Sequence, residues 1–319
     1  MGVLPMQDDR LVWLDGACHG RDLVGGKGAS LSRLFSLGAP VPPAITFTTH
    51  AYRDLAAHLA LASRLAHLAA GAEVAVRQAI ADTPLPGAVE HTVRRGWSVL
   101  RERIGPEPRI AVRSSAIDED GGGYSFAGLH DTILGVTTEE AFVAAVRRCW
   151  GSLWTDRSIT YRRSSGLVDD IAIAVIAQQL VPCDVSFVAF SADPVTGNQD
   201  HVVINAAWGL GEAIVSGIVT PDNITVGLSG AILAYTIGDK ETMIVADESA
   251  AEGTRHVPVP RAMRRLPALA DAQTATIATF TRKLAVEFGH PVDLEGGLVG
   301  DRLHLFQARP ITTIGKPVA

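Results

Sequence analysis

Val24-Gly25-Gly26-Lys27-Gly28-Ala29-Ser30-Leu31 sets one lysine among glycines where an apolar periodicity of helical spacing begins. Unpaired N–H groups at a helix start, the helix dipole and a positive side chain all favour an anion at such a place. Only four of the 28 Lys and Arg residues are lysines, so Lys27 stands out in a chain that otherwise writes its positive charges as arginine. A lysine is a compact charge on a flexible stem, suited to one phosphate oxygen rather than to a bidentate fork. The stretch is not a Walker A loop. That loop needs G-x-x-x-x-G-K-[ST]; Gly20 and Gly25 have the right separation, but Gly26 stands where the lysine belongs and Gly28 follows Lys27. A glycine turn capping an ordinary surface helix is the competing reading of the same residues.

With 319 residues, 47% of them apolar, the chain can bury a substantial core and is expected to form two lobes. A formal net charge of −6 argues against general nucleic-acid binding, which needs a basic surface. Cys18, Cys149 and Cys183 are scattered without C-x-x-C spacing, so neither a disulfide framework nor a zinc site is indicated, and a reducing cytoplasm fits best. Residues 1–10 lack the basic and apolar regions of a signal peptide, and there is no apolar run of about 18 residues. The expectation is a soluble cytoplasmic protein without a membrane partner.

Residues 27–37 read as a helix ended by Gly38, after which Ala39-Pro40-Val41-Pro42-Pro43 forces an extended connection into a strand at 44–48. Thr48 or Thr49 caps the next helix. Residues 51–103, rich in Ala, Leu and Arg, read as two or three helices broken near Gly71 and at Pro84-Leu85-Pro86-Gly87. His58, His67 and His91 share no ligand spacing and read as surface or packing residues. From Arg109 the character changes: 109–113 is a strand delivering Ser114 and Ser115 into a polar loop that runs to Ser125-Phe126-Ala127-Gly128, either a lid over a ligand or a solvated surface loop. Thr137-x-x-Glu140 is a capping-box signature for a helix that buries Phe142, Val146, Cys149 and Trp150.

The second half alternates strands, at 171–181, 185–191 and 201–207, with turn signals such as Asp193-Pro194-Val195-Thr196-Gly197. Such short links imply antiparallel pairing. Trp208-Gly209-Leu210-Gly211-Glu212 places two glycines and an acid at a strand-to-helix junction, a weak pointer to a nucleotide, and a helix at 268–288 precedes the last hairpin. That hairpin carries the sharpest chemistry. Pairing 291–295 with 302–309 across a turn around Gly296-Gly297 puts Asp293 with Glu295, and Gln307 with Arg309, on common faces. Glu295 and the Gln307 carbonyl are hard oxygen ligands of the kind magnesium takes, since it needs only one or two carboxylates beside water and substrate phosphates. Arg309, about 7 Å along the strand from Gln307 by strand rise, is placed to hold the phosphate that the metal bridges. A satisfied ion pair on a hairpin surface is the alternative.

Taken together, the segments resemble, along nearly the whole length, the ATP-binding domain of the phosphoenolpyruvate synthase and pyruvate phosphate dikinase family, to which rifampin phosphotransferase also belongs. The resemblance rests on residues 24–31, Val41-Pro42-Pro43, Ala111-Val112-Arg113-Ser114-Ser115-Ala116, Ser125-Phe126-Ala127-Gly128 with Asp131-Thr132, residues 193–197, Gly209-Leu210-Gly211-Glu212, and Gln307-Ala308-Arg309-Pro310-Ile311-Thr312, in matching order. It implies an α+β, ATP-grasp-like fold of two lobes, with mixed or antiparallel sheets flanked by helices and ATP clamped between them. Residues 1–180 would carry the phosphate loop and lid, and 181–319 the nucleotide and metal side. The resemblance further implies that Lys27 and Arg113 hold phosphate oxygens, that Gly128 and Thr132 belong to the lid, and that adenine lies against Gln178-Gln179-Leu180-Val181. Glu212 and Asp293 would approach the ribose or metal side, Glu295 and Gln307 would bind Mg2+, and Arg309 would complete the clamp, with Lys27, Arg113 and Arg309 as the catalytic set. Phosphoryl transfer asks mainly for such positioning and charge neutralisation.

The departures from the family pattern are Ala44-Ile45 in place of Gly-Phe, Ser186-Phe187 in place of Ser-Gly, and Glu295-Gly296 in place of Glu followed by an aromatic residue. A bulky Phe187 is expected to reshape the adenine side; no implied ligand is lost. The family's dikinase reaction passes phosphate from ATP through a histidine on a swivelling domain to an acceptor, releasing AMP and phosphate. No Gly-rich Thr-Ser-His segment of that kind occurs in these residues, and His130, in the lid, is a poor carrier. The expectation is therefore the ATP-binding subunit of a split phosphotransferase resembling phenylphosphate synthase, working with a separate chain that carries the histidine and the site for a small acceptor such as a phenol. A stand-alone kinase yielding ADP and a non-catalytic ATP-binding module are the alternatives.

Overall fold

Short apolar runs bounded by turn residues build two antiparallel sheets in the computed structural model, which describes residues 8–61, 72–117, 131–156, 158–159 and 171–311. The first sheet contains β1 (Leu11–Trp13), β2 (Ala44–Phe47), β3 (Ile110–Ala116), β4 (Thr132–Val136) and β5 (Ile173–Gln179), in the spatial order β1-β2-β5-β3-β4. The second contains β6 (Val185–Phe190), β7 (Val202–Trp208), β8 (Asp222–Val226) and β9 (Ile232–Thr236), and, after a separate hairpin of β10 (Thr242–Ala246) and β11 (Thr254–Pro258), β12 (Val292–Val299) and β13 (Arg302–Pro310). Its order is β13-β12-β6-β7-β8-β9. Every pairing in both sheets is antiparallel.

Helices cover the sheets where their apolar stripes demand it. Along the chain these are α1 (Arg21–Ser36), α2 (Thr49–His58), α3 (Ala72–Asp82), α4 (Gly87–Ile104), α5 (Glu139–Gly151), α6 (Glu212–Val215) and α7 (Asp271–Phe288). Tyr52 of α2, Trp97 of α4 and Phe142 and Trp150 of α5 close over Phe47, Val112 and Val175 of the first sheet. Ile277 and Leu284 of α7 close over Phe187, Ile204 and Leu294 of the second. This is the α+β arrangement of two sheets with flanking helices that the sequence led us to expect. α1 packs against β3, β5 and β13, and so touches both sheets. A second link is made by the turn between β10 and β11. There Gly253 N–H donates to the Leu134 carbonyl at 2.7 Å, Thr137 N–H donates to Ala251 at 2.9 Å, and Arg148 pairs with Glu252 at 2.7 Å. A Cβ at Gly135 would lie 2.4 Å from the Gly253 carbonyl oxygen, so this approach depends on glycine.

Several local expectations are corrected. Ser114 and Ser115 do not enter the loop but stay in β3, opposite Val175 and Ala174 of β5. The cap of α5 is Thr138, whose hydroxyl accepts Ala141 N–H at 3.2 Å, because Thr137 is occupied with Ala251. The last hairpin turns at Gly300 (φ 55°), and Gly296 and Gly297 lie inside β12. Their missing side chains answer to neighbours: a Cβ would stand 2.4 Å from Phe187 Cζ at Gly296 and 2.4 Å from Cys183 Sγ at Gly297. The Phe187 ring accordingly packs in the apolar cluster beneath α7, on the face opposite Glu295, while the residue also borders the cavity described below. Cys18, Cys149 and Cys183 are free, and no helix among the described residues is long and apolar enough to cross a membrane. The lid segment with Gly128 and His130, as well as His67 and Gly71, falls outside the described residues.

Candidate functional site

The site begins with a fault in α1. The helix is interrupted at Gly25 (φ 72°, ψ 178°), so a second helical segment starts at Gly26 with Lys27 in its first turn, one residue ahead of the predicted start. A Cβ at Gly25 would lie 2.0 Å from the Ser115 carbonyl oxygen, and the positive φ favours glycine independently. Lys27 Nζ donates to the Ser114 carbonyl at 3.2 Å, and so is held against β3.

A cavity of about 400 Å3 opens there between the two sheets. Its wall takes Lys27 from α1, Arg113 and Thr132 from the first sheet, and then Gln178, Gln179, Leu180 and Val181 at and just past the end of β5. From the second come Glu295, Gln307 and Arg309, with Glu212 from the start of α6. Asp293 is not part of the wall: its Oδ2 accepts Arg309 Nη2 at 2.9 Å, so it supports the arginine from behind, while Glu295 Oε1 accepts the same nitrogen at 3.1 Å from within the cavity. Asp293 with Arg309, and Glu295 with Gln307, are direct cross-strand partners, and a bulge at Phe306 follows the second pair. Wall residues that sequence reasoning did not single out include Leu134, Val188, Val215, Ser216 and Phe306. Their signal is register, Val188 lying opposite Glu295, and that is set by pairing between distant strands.

The electrostatics suit an anion rich in acceptors. Arg113 Nε and Gln178 Nε2 are each withdrawn from solvent without a partner. Buried donors in that state are costly unless something supplies acceptors. Burial pushes the Arg113 guanidinium below its usual range; Glu295 opposes that shift and the like charge of Arg309 adds to it. Glu212 is tied to the β10–β11 hairpin through Thr254 Oγ1, which donates to its Oε2 at 2.8 Å. The donor set also fits magnesium: among the described residues no cluster of three or more His, Cys, Asp or Glu could cage an ion, but one carboxylate beside one amide oxygen leaves the coordination that substrate phosphates complete. Turning the Gln307 amide about its last bond exchanges Nε2 for that oxygen.

Residues 21–319 match the family model for the pyruvate phosphate dikinase AMP/ATP-binding domain. The chain belongs to this family. Similar proteins include the prodigiosin synthesizing transferase PigC of Serratia marcescens, 38% identical over 92% of this chain and 32% of that protein. A rifampicin phosphotransferase of Streptomyces sviceus is 38% identical over 92% of this chain and 34% of its own length. A probable phosphoenolpyruvate synthase of Methanocaldococcus jannaschii is 35% identical over 96% and 27%. The chain thus spans about a third of the length of these relatives. Solved structures overlay loosely: D-alanyl-alanine synthetase A from Vibrio cholerae, 11% identical, covers 91% of this chain and 60% of its own with a TM-score of 0.35.

Proposed function

We propose that the chain binds Mg-ATP in the cavity between its sheets and supplies a phosphoryl group to a histidine on a separate swivelling-domain chain. Of the two terminal phosphoryl groups of ATP one stays on the histidine and the other passes to water as phosphate, so that AMP is released; the phosphohistidine then phosphorylates a small acceptor, such as a phenol, in the cytoplasm. One observation carries this reading: Lys27, Arg113 and Arg309 converge with Glu295 and Gln307 on a cavity whose walls hold buried donors in want of acceptors. A triphosphate brings those acceptors. Lys27 and Arg113 take phosphate oxygens from the first sheet, and Arg309, oriented by Asp293, takes them from the second. Glu295 and Gln307 would hold Mg2+, which would supply neutralisation of the phosphates' negative charge. Leu134, Leu180 and Leu210 offer the apolar surface that a purine ring needs.

Relatives whose names carry different substrates share this third of their length, which favours giving it the ATP step that they hold in common. The test is to mix the chain with Mg-ATP and a histidine-bearing swivelling-domain partner, and to separate the nucleotides by chromatography. AMP is expected with the partner and not with its His→Ala variant. ADP as the product, or AMP at equal rates with either partner, would overturn the reading.

A further inference from the structure

Ser114 and Ser115 are fully buried, line no part of the cavity, and yet direct their polar atoms at the phosphate loop. In an unbroken helix the Gly28 N–H would close on the Val24 carbonyl, four residues back. Instead the Ser115 hydroxyl stands between these two groups, donating to the Val24 carbonyl at 2.8 Å and accepting from Gly28 N–H at 3.0 Å. A side chain inserted into the hydrogen-bond ladder is a recognised cause of a sharp helix break. Gly25 is the complement of that insertion, since only a residue without Cβ fits against Ser115 there. Ser114 completes the arrangement. Its carbonyl accepts Lys27 Nζ at 3.2 Å, and its N–H and hydroxyl donate to the Asp131 carbonyl at 3.2 and 3.1 Å, just before Thr132.

We propose that Ser115, backed by Ser114, is a positioning residue: its hydroxyl wedges α1 open at Gly25 and so fixes the place from which Lys27 meets the phosphates of the nucleotide. One dipeptide then sets both the lysine of the first segment and the start of β4, on either side of Arg113. The inference rests on the ATP reading above. It differs from a general packing role because it concerns phosphate alone: a nucleoside without phosphates does not reach Lys27.

The test compares Mg-ATP and adenosine affinities of the 319-residue chain by calorimetry. For Ser115→Ala, the loss of a buried hydrogen bond predicts an ATP affinity about tenfold lower with adenosine unchanged. Adding Ser115→Ala to Lys27→Met is expected to cost nothing further, because the serine acts through the lysine. If Ser115→Ala does not fold, Ser115→Cys keeps the shape with a weaker donor and acceptor, and serves the same comparison. Equal losses for ATP and adenosine, or additive losses with Lys27→Met, overturn the positioning role. A wild-type chain that binds ATP no better than adenosine overturns the ATP reading itself, so the two failures are distinguishable.

Discussion

Arg113 is the residue at which stability and binding are expected to move in opposite directions. Its Nε is withdrawn from solvent without a partner, and its contact to the Phe306 carbonyl, at 3.4 Å, is at the long limit of a hydrogen bond. An unpaired buried donor costs about 1–3 kcal/mol. Arg113→Met removes that donor and keeps the apolar stem, so the empty protein gains most of this amount. With an unfolding entropy of about 2.1 cal/mol/K per residue over 319 residues, the gain raises the melting temperature by about 2–4 °C. With nucleotide the sign reverses. A hydrogen bond to a charged group contributes about 1.5–3 kcal/mol, and at about 1.4 kcal/mol per decade the variant binds Mg-ATP about 10- to 150-fold more weakly. Thermal denaturation of the empty chain and calorimetry with Mg-ATP read the two effects separately. A variant that melts lower and binds ATP as well as the wild type would refute the reasoning and make Arg113 a structural residue.

Three further outcomes follow from ion pairs and close packing. Lys240 and Asp222 are wholly buried together, with Gly238 N–H (2.9 Å) and Ala268 N–H (2.7 Å) also donating to the carboxylate; Lys240→Met strands that charge and is expected to cost about 3–5 kcal/mol in urea unfolding, whereas Asp222→Asn with Lys240→Met recovers part, and equal losses count against the pair. Gly296→Ala drives a methyl to within 2.4 Å of Phe187 Cζ and 2.7 Å of the His304 carbonyl, an overpacking of about 1–3 kcal/mol that Phe187→Leu is expected to relieve in thermal melts; no relief would mean that the carbonyl contact dominates. Gly135→Ala, at φ 74° and against Gly253, is expected to undock the β10–β11 turn and speed its proteolysis, while Glu252→Gln, which breaks a partly exposed ion pair, costs under about 1 kcal/mol; the reverse ranking would show the ion pair to be the fastening.

What the sequence displayed and what it concealed divide along sequence distance. The period-two rule reached Asp293, Glu295, Gln307 and Arg309 because a hairpin writes its facing residues within a few positions of each other, and the observed register pairs them directly. It could not tell that Asp293 stops behind Arg309 while Glu295 enters the cavity, since that depends on where β6 and α1 lie. Gly296-Gly297 were read as a turn because glycine pairs are turn residues by local chemistry; their reason is Phe187 and Cys183, a hundred residues earlier. Gly25 misleads in the same way. By itself it is a helix-start glycine, but its conformation is forced by the Ser115 hydroxyl lodged between Val24 and Gly28. At each of these positions the glycine is half of a pair whose other half lies far away in the sequence. A Lys27 loop transplanted without the Ser115 strand is therefore expected to heal into a continuous helix, and the placement of Lys27 is a property of α1 and β3 together.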